Sequence, residues 1–348
     1  MKNYCLVFVL LLTTCFLSLP LIAVNGNPVE LGKVQWIRNY EEGIQLSAEE
    51  KKPVFLLFQE VPGCVTCQRY GKNVLSHPLI VEAIEELFVP VAIFNNKGGK
   101  DAQVLRYYGE RAWNNPVVRI VGNNKKDLVN RVGGDYSTLG VVQAMVQSLQ
   151  AVGNSVPQYL LLLEQELLSK QAGTEKAHLS MYCFWTGEKT IGQMEGVVKT
   201  LPGFMDGREV VQVEYDPAVI SFPKLVQQAE KEQCASHVYT TTKLQEKQAA
   251  KVVGARSVSK ESKFRLDREP KYYLSQTHYA YLPMTPLQAV KVNSAIGSRK
   301  SPDIYLSPRQ LQLAAYFKER GTSKFKKAIN EDFVQSWEKV SAYFEAGE

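Results

Sequence analysis

Six cysteines occur in this sequence of 348 residues, and the placing of four of them points to sulfur chemistry. Cys64 and Cys67 lie in Val61-Pro62-Gly63-Cys64-Val65-Thr66-Cys67-Gln68-Arg69-Tyr70. The apolar run Pro53 to Phe58 before them reads as a buried strand, and the residues after them read as a helix. Thiols on a first helical turn sit where backbone N–H groups and the helix dipole favour a thiolate, the form that attacks a disulfide. The expected chemistry is dithiol–disulfide exchange. A second cluster, Cys183-Phe184-Trp185-Thr186-Gly187-Glu188, puts a thiol, two aromatic rings and a carboxyl at another apparent helix start. Cys234 follows a further helical stretch. A structural disulfide framework is denser and usually sits in a smaller chain, so catalytic redox work is the better reading. Structural zinc takes a tetrahedral ligand set, and His77 is the only other soft ligand near the pair in sequence. Neither a metal nor another cofactor is expected.

These thiols need strands and helices to hold them. Within residues 27–153, Trp36 to Leu46 reads as a helix, Val54–Phe58 as a strand, and the helix opened by the cysteines ends near His77-Pro78. Leu79 to Leu87 repeats at helical spacing, and Phe88 to Phe94 is a second strand. Asn114 to Val121, entered through Pro116, is a third strand; Leu128–Val132 is a fourth, and a helix covers Tyr136 to Leu149. Strands alternating with helices around C-x-x-C describe a layered α/β domain of thioredoxin-like type. Residues 154–173 form an apolar linker helix. Residues 174–250 read strand–helix–strand–strand–helix–strand, the ferredoxin-like α+β order. Residues 251–348 form a helical C-terminal region. It opens with a charged loop, Lys260 to Lys271, and a tyrosine-rich segment around His278 that reads as packed surface.

The first 26 residues read as a signal peptide: Lys2, an apolar core from Leu6 to Leu17, then Pro20 and small residues near Ala23. The apolar stretch also approaches the length of a membrane anchor, and either use puts the body of the protein in the periplasm or outside the cell. Cys5 and Cys15 belong to this segment. A net charge of +6 without charge blocks is too diffuse for a nucleic-acid partner.

Two resemblances refine this reading. Gly63 to Tyr70, continued by Leu75-Ser76-His77-Pro78-Leu79-Ile80, resembles the thioredoxin-like family that includes the redox end domain of bacterial extracytoplasmic thiol–disulfide interchange proteins. The V-P-G-C-x-T-C form is also similar to a small bacterial family in which some members carry selenocysteine at the place of Cys64. The resemblance implies that Cys64 attacks, Cys67 resolves, and Pro116 is a cis-proline beside them. Cys183-Phe184-Trp185…Glu188 resembles the G-C-F-W-x-x-E signature of peptide methionine-S-sulfoxide reductases, and the likeness continues through Gly196 to Thr200 and Glu209 to Pro217. It implies that Cys183 attacks the sulfoxide sulfur, that Phe184 and Trp185 hold the substrate methyl group, and that Glu188 donates a proton. The sulfenic acid left on Cys183 would then condense with Cys234, and Cys64/Cys67 would reduce that disulfide. Departures from the signature are Tyr182 in place of its glycine, Phe204 in place of a tyrosine at the substrate site, and a shortened Gly207-Arg208-Glu209. The expected partners are oxidised methionine in peptides or proteins and a membrane or periplasmic thiol donor. The alternative reading is a thiol–disulfide interchange protein whose second domain only docks partners.

Overall fold

A computed structural model describes residues 26–345; the stretch read above as a signal peptide, apart from Gly26, lies outside them. After a 3-10 turn, Val29–Leu31, come α1 (Tyr40–Glu50), β1 (Val54–Gln59), α2 (Val65–Asn73), α3 (Pro78–Leu87), β2 (Val89–Phe94), α4 (Gly99–Tyr108), β3 (Val117–Val121), β4 (Val132–Gly133) and α5 (Thr138–Ala151). The strands form one sheet ordered β2-β1-β3-β4. β1 pairs parallel with β2 and antiparallel with β3. Every residue of β1 is buried, because both of its faces are covered. The two-residue period sends Phe55 and Leu57 into one core with α3 and α5, while Val54, Leu56 and Phe58 join Tyr40, Val104 and Leu105 in the other. α4 was not marked by the sequence. The fourth strand forms later than Leu128–Val132, because the chain first turns back on itself through Gly122 and Lys125.

Where α2 meets the turn Val29–Leu31, there is no room for a side chain. A Cβ on Gly71 would lie 2.0 Å from the Val29 carbonyl oxygen and 2.5 Å from the Glu30 carbonyl carbon. Both obstacles are backbone, so Gly71→Ala should separate α2 from the turn that carries Glu30 and cost about 2 kcal/mol or more. A denaturant midpoint within error of the parent would refute this close approach.

The second sheet follows α6 (Gln158–Ala172). Its elements are β5 (Glu175–Ser180), α7 (Phe184–Ile191), β6 (Val197–Met205), β7 (Arg208–Tyr215), α8 (Phe222–Lys231), β8 (His237–Thr240), α9 (Lys243–Val253), β9 (Val258–Lys260) and β10 (Arg265–Leu266). The strand order is β10-β6-β7-β5-β8-β9. Its four central strands, β6-β7-β5-β8, pair antiparallel with one another in the ferredoxin-like order. The β6–β7 hairpin turns at Asp206 and Gly207, both with positive φ, as a two-residue hairpin requires. The stretch read as a charged loop instead ends one edge strand and supplies another. β9 pairs parallel with β8, and β10 pairs antiparallel with β6. Two or three backbone pairings need no apolar repeat, so periodicity did not mark them.

The last helices are α10 (Tyr272–Ser275), α11 (Pro286–Gly297), α12 (Pro308–Arg320) and α13 (Phe333–Glu345). Thr285 with Gln288 and Ser307 with Gln310 form capping boxes at the starts of α11 and α12. This region bridges the two sheets. α11 packs on α7 and β6, and its Leu287 N–H donates to Glu166 of α6 at 3.0 Å. Arg309 of α12 donates its backbone N–H to Glu82 at 2.6 Å and pairs its guanidinium with Glu85, both on α3. No helix among the described residues is long and apolar enough to cross a membrane.

Candidate active site

Cys64 is the N-cap of α2, reached from β1 through the cis peptide Val61–Pro62. It is exposed, whereas Cys67, on the first turn, has no exposed surface. Both are free thiols with sulfurs 3.6 Å apart. Three residues outside α2 hold the loop. Glu30 Oε1 accepts from the Gly63 N–H at 2.8 Å, Gln59 Nε2 donates to the Glu30 and Cys67 carbonyls, and Asn115 Oδ1 accepts from the Cys67 thiol at 2.6 Å. The Asn115–Pro116 peptide is cis.

Electrostatics divides the labour between the two sulfurs. The Cys67 backbone N–H, facing the Cys64 sulfur, holds that thiol below its ordinary pKa against the opposing effect of burial. Burial, reinforced by the hydrogen bond with Cys64, pushes Cys67 up to about 12. The exposed sulfur therefore ionises first, while its partner keeps its proton until a mixed disulfide forms. Iodoacetamide on the folded, reduced protein should label Cys64 first. The labelling rate should rise with pH and level off below the usual thiol range, with Cys67 still protected. Equal labelling of the two sulfurs would contradict this division.

Glu60 brings a carboxylate oxygen within 4.8 Å of both sulfurs, which the spacing did not indicate. His77 lies apart, as N-cap of α3 with its ring 5.5 Å from Phe333, and burial lowers its pKa to about 4. Among the described residues, the hydrogen bonds through side chains that tie residues 60–68 to the rest of the chain involve Glu30, Gln59, Asn96 and Asn115, all in the first sheet's layers.

The second cluster is built at the end of β5. Tyr182 is 99% exposed, and Cys183 is the half-buried N-cap of α7. The Cys183 thiol makes no hydrogen bond among the described residues. Glu209 of β7 accepts the Phe184 N–H at 2.8 Å, so a carboxylate caps this helix start. Phe184 meets Phe204 edge-on at 5.2 Å and Trp185 at 5.6 Å, and the Arg265 guanidinium lies 4.4 Å over the Phe204 ring. The three aromatics named from the sequence thus form one wall beside Cys183. A fourth ring was missed: Tyr272 stacks on Trp185 at 4.0 Å and 12°. His278 is elsewhere, against Tyr279.

Two placements differ from expectation. Glu188 was expected to donate a proton to the substrate at this site. Instead it is 1% exposed and enclosed. Its Oε1 accepts from Lys271 Nζ at 2.6 Å and from the Thr200 hydroxyl at 3.1 Å, and its Oε2 accepts from the Lys271 backbone N–H at 2.8 Å. A buried carboxylate needs a compensating cation, and this one arrives from 83 residues away, beyond the range of any local pattern. Cys234 was expected to receive Cys183. It is 3% exposed, its sulfur donates to the Glu232 carbonyl at 3.3 Å, and burial raises its pKa although Thr190 hydrogen-bonds the sulfur. Thr190 is at the far end of α7 from Cys183, about 10 Å along the axis. A disulfide needs Cβ atoms ~4 Å apart, so this arrangement does not bring the two sulfurs together.

Residues 35–122 match a family model described as thioredoxin-like. Peptide methionine sulfoxide reductase MsrA of Salmonella arizonae is 35% identical over 81 residues, covering 18% of this chain and 38% of that protein. MsrA 1 of a Nostoc species is 33% identical over 81 residues, 18% of this chain and 50% of that protein. The chain thus spans half or less of the length of these curated relatives. Among solved structures, a DsbH oxidoreductase is 17% identical with a TM-score of 0.30, over 36% of this chain and 91% of that one. Methionine sulfoxide reductase A of Corynebacterium diphtheriae is 25% identical with a TM-score of 0.23, over 28% and 62%. Overlaps that loose carry no argument, so the sequence matches stand alone: this chain joins a thioredoxin-like domain to a region similar to part of the peptide methionine sulfoxide reductases.

Proposed function

We propose that this protein is an extracytoplasmic thiol oxidoreductase that reduces methionine-S-sulfoxide in peptides, with Cys64 and Cys67 as its built-in electron donor. The observation that carries the reading is the presence in one chain of two differently prepared thiols. Cys64 is exposed and lowered in pKa, and the Cys183 thiol, at a helix start beside an aromatic wall, makes no hydrogen bond among the described residues. The Cys183 thiolate attacks the sulfoxide sulfur. The oxygen passes to Cys183, the thioether is released, and Cys183 becomes a sulfenic acid. Cys64 then attacks that sulfur, forming a Cys64–Cys183 disulfide and releasing the oxygen as water. Cys67 attacks Cys64, frees Cys183 as a thiolate, and closes the Cys64–Cys67 disulfide. An external thiol returns two electrons. Direct attack by Cys64 needs only that two accessible sulfurs approach, whereas a role for Cys234 needs the end of α8 to move first.

The test is turnover of S- and R-epimers of a methionine-sulfoxide peptide with dithiothreitol as donor. Reduction of the S-epimer is expected; no reduction of either would sink the proposal. The ion pair on Glu188 favours a second reading, thiol–disulfide interchange with the second domain as a docking platform. That reading predicts reduction of disulfide peptides and none of sulfoxides.

A further inference from the structure

We propose that Lys271 is a positioning residue that withholds Glu188 from the second site, and so limits how efficiently a sulfoxide is reduced there. The inference rests on the sulfoxide reading above. The two substrates differ in what leaves. Attack on a disulfide expels a thiolate, whose conjugate acid has a pKa of ~8.5. Attack on a sulfoxide builds negative charge on the oxygen before it passes to Cys183, and a proton delivered to that oxygen neutralises the charge and lets the thioether leave. The first reaction proceeds without an acid; the second needs a proton delivered to oxygen.

The groups around Cys183 do not hold that proton ready. Glu209 accepts the Phe184 N–H, which uses its carboxylate as an acceptor. Glu188 accepts three hydrogen bonds, two of them from Lys271, which is the bonding of a carboxylate and not of an acid. The Lys271 ammonium is itself fully used, on Glu188 Oε1, the Thr200 carbonyl and the Thr200 hydroxyl. Both partners are at most 2% exposed.

Lys271 reaches this place as part of a hook from the C-terminal region. Its backbone is left-handed, φ 56°, which a residue with a side chain adopts only where its surroundings impose it. The next residue, Tyr272, stacks on Trp185, and Tyr273 brings its hydroxyl to 3.4 Å from that of Thr186 on the same helix. Behind the hook lies a cavity of about 60 Å³, lined by Lys271 itself with Lys199, Leu274, Leu282 and Met284. One segment thus ties up the carboxylate and braces the aromatic wall together.

Removing the ammonium leaves Glu188 buried without its cation, and a carboxyl in that position takes up a proton instead. Lys271→Met should therefore raise kcat for the S-sulfoxide peptide by about 100-fold with KM little changed. Lys271→Arg should stay at the parental rate, and Lys271→Met/Glu188→Gln should lose the gain. A lysine that merely supports the fold would lower the rate when removed. Infrared spectra provide a readout independent of turnover: Lys271→Met should gain a protonated-carboxyl band that Glu188→Gln erases. Lys271→Gln keeps a donor to Thr200 and serves in the same assays if the methionine variant does not fold. Sulfoxide turnover in the parent that Lys271→Met fails to raise, or absence of the carboxyl band, overturns the inference and leaves the proposed function standing. No sulfoxide turnover in parent or variants, with disulfide exchange intact, removes the sulfoxide reading and this inference with it.

Discussion

Cys183→Ser should abolish reduction of the S-sulfoxide peptide, by about 10³-fold or more, and leave reduction of a disulfide peptide at the parental rate. The hydroxyl is far less acidic and less nucleophilic than the thiol it replaces. No general base is hydrogen-bonded to it, because the Cys183 side chain makes no such contact among the described residues. The selectivity of the loss is the informative part. The side-chain hydrogen bonds that tie the loop around Cys64 to the rest of the chain involve Glu30, Gln59, Asn96 and Asn115, so a change at α7 leaves the dithiol untouched. Sulfoxide turnover surviving in Cys183→Ser would move the chemistry elsewhere. Parallel loss of both activities would point to misfolding, visible as a lowered thermal midpoint.

The second large effect is expected at the dithiol. Cys64→Ser should remove both activities when electrons enter through a partner that reacts only with Cys64. Cys67→Ser should stall the cycle one step later, with Cys64 held in a mixed disulfide. The ground for this order is the opposed pKa shifts, Cys64 downward and Cys67 up to about 12. Because Cys67 is buried and keeps its proton, it acts only after Cys64 is bonded. After exposure of Cys67→Ser protein to sulfoxide peptide, mass spectrometry of a non-reduced digest should recover the peptide containing Cys64 joined to the one containing Cys183. Recovery of Cys64 joined only to foreign peptides would favour the docking reading. A Cys64–Cys234 link would mean that the end of α8 opens during turnover.

Much of this was legible in the chain because the signals are local. Val54 to Phe58 followed by Cys64 and Cys67 specifies a buried strand running into a helix start, and the structure makes that junction. The alternation around Val211, Val213 and Tyr215 and the amphipathic helix with Phe222, Leu225 and Val226 carried the second sheet's central order. Each of these depends on residues within a few turns of one another, which is the range over which side-chain period and backbone conformation are coupled.

Tertiary structure decided what those elements do together. Glu30 and Asn115 reach the dithiol loop from other segments, and Lys271 reaches Glu188 across 83 residues. Glu188 has the same neighbours in sequence whether it ends as a proton donor or as half of a buried ion pair. Likewise Cys234, at a helix end as expected, faces Thr190 and not Cys183 because of how α7 and α8 pack. Charge state and sulfur partnership are set through space, by burial and by which group happens to stand within about 3 Å. The order of residues along the chain therefore determined the parts and the kind of chemistry, while packing assigned each carboxylate and thiol its partner.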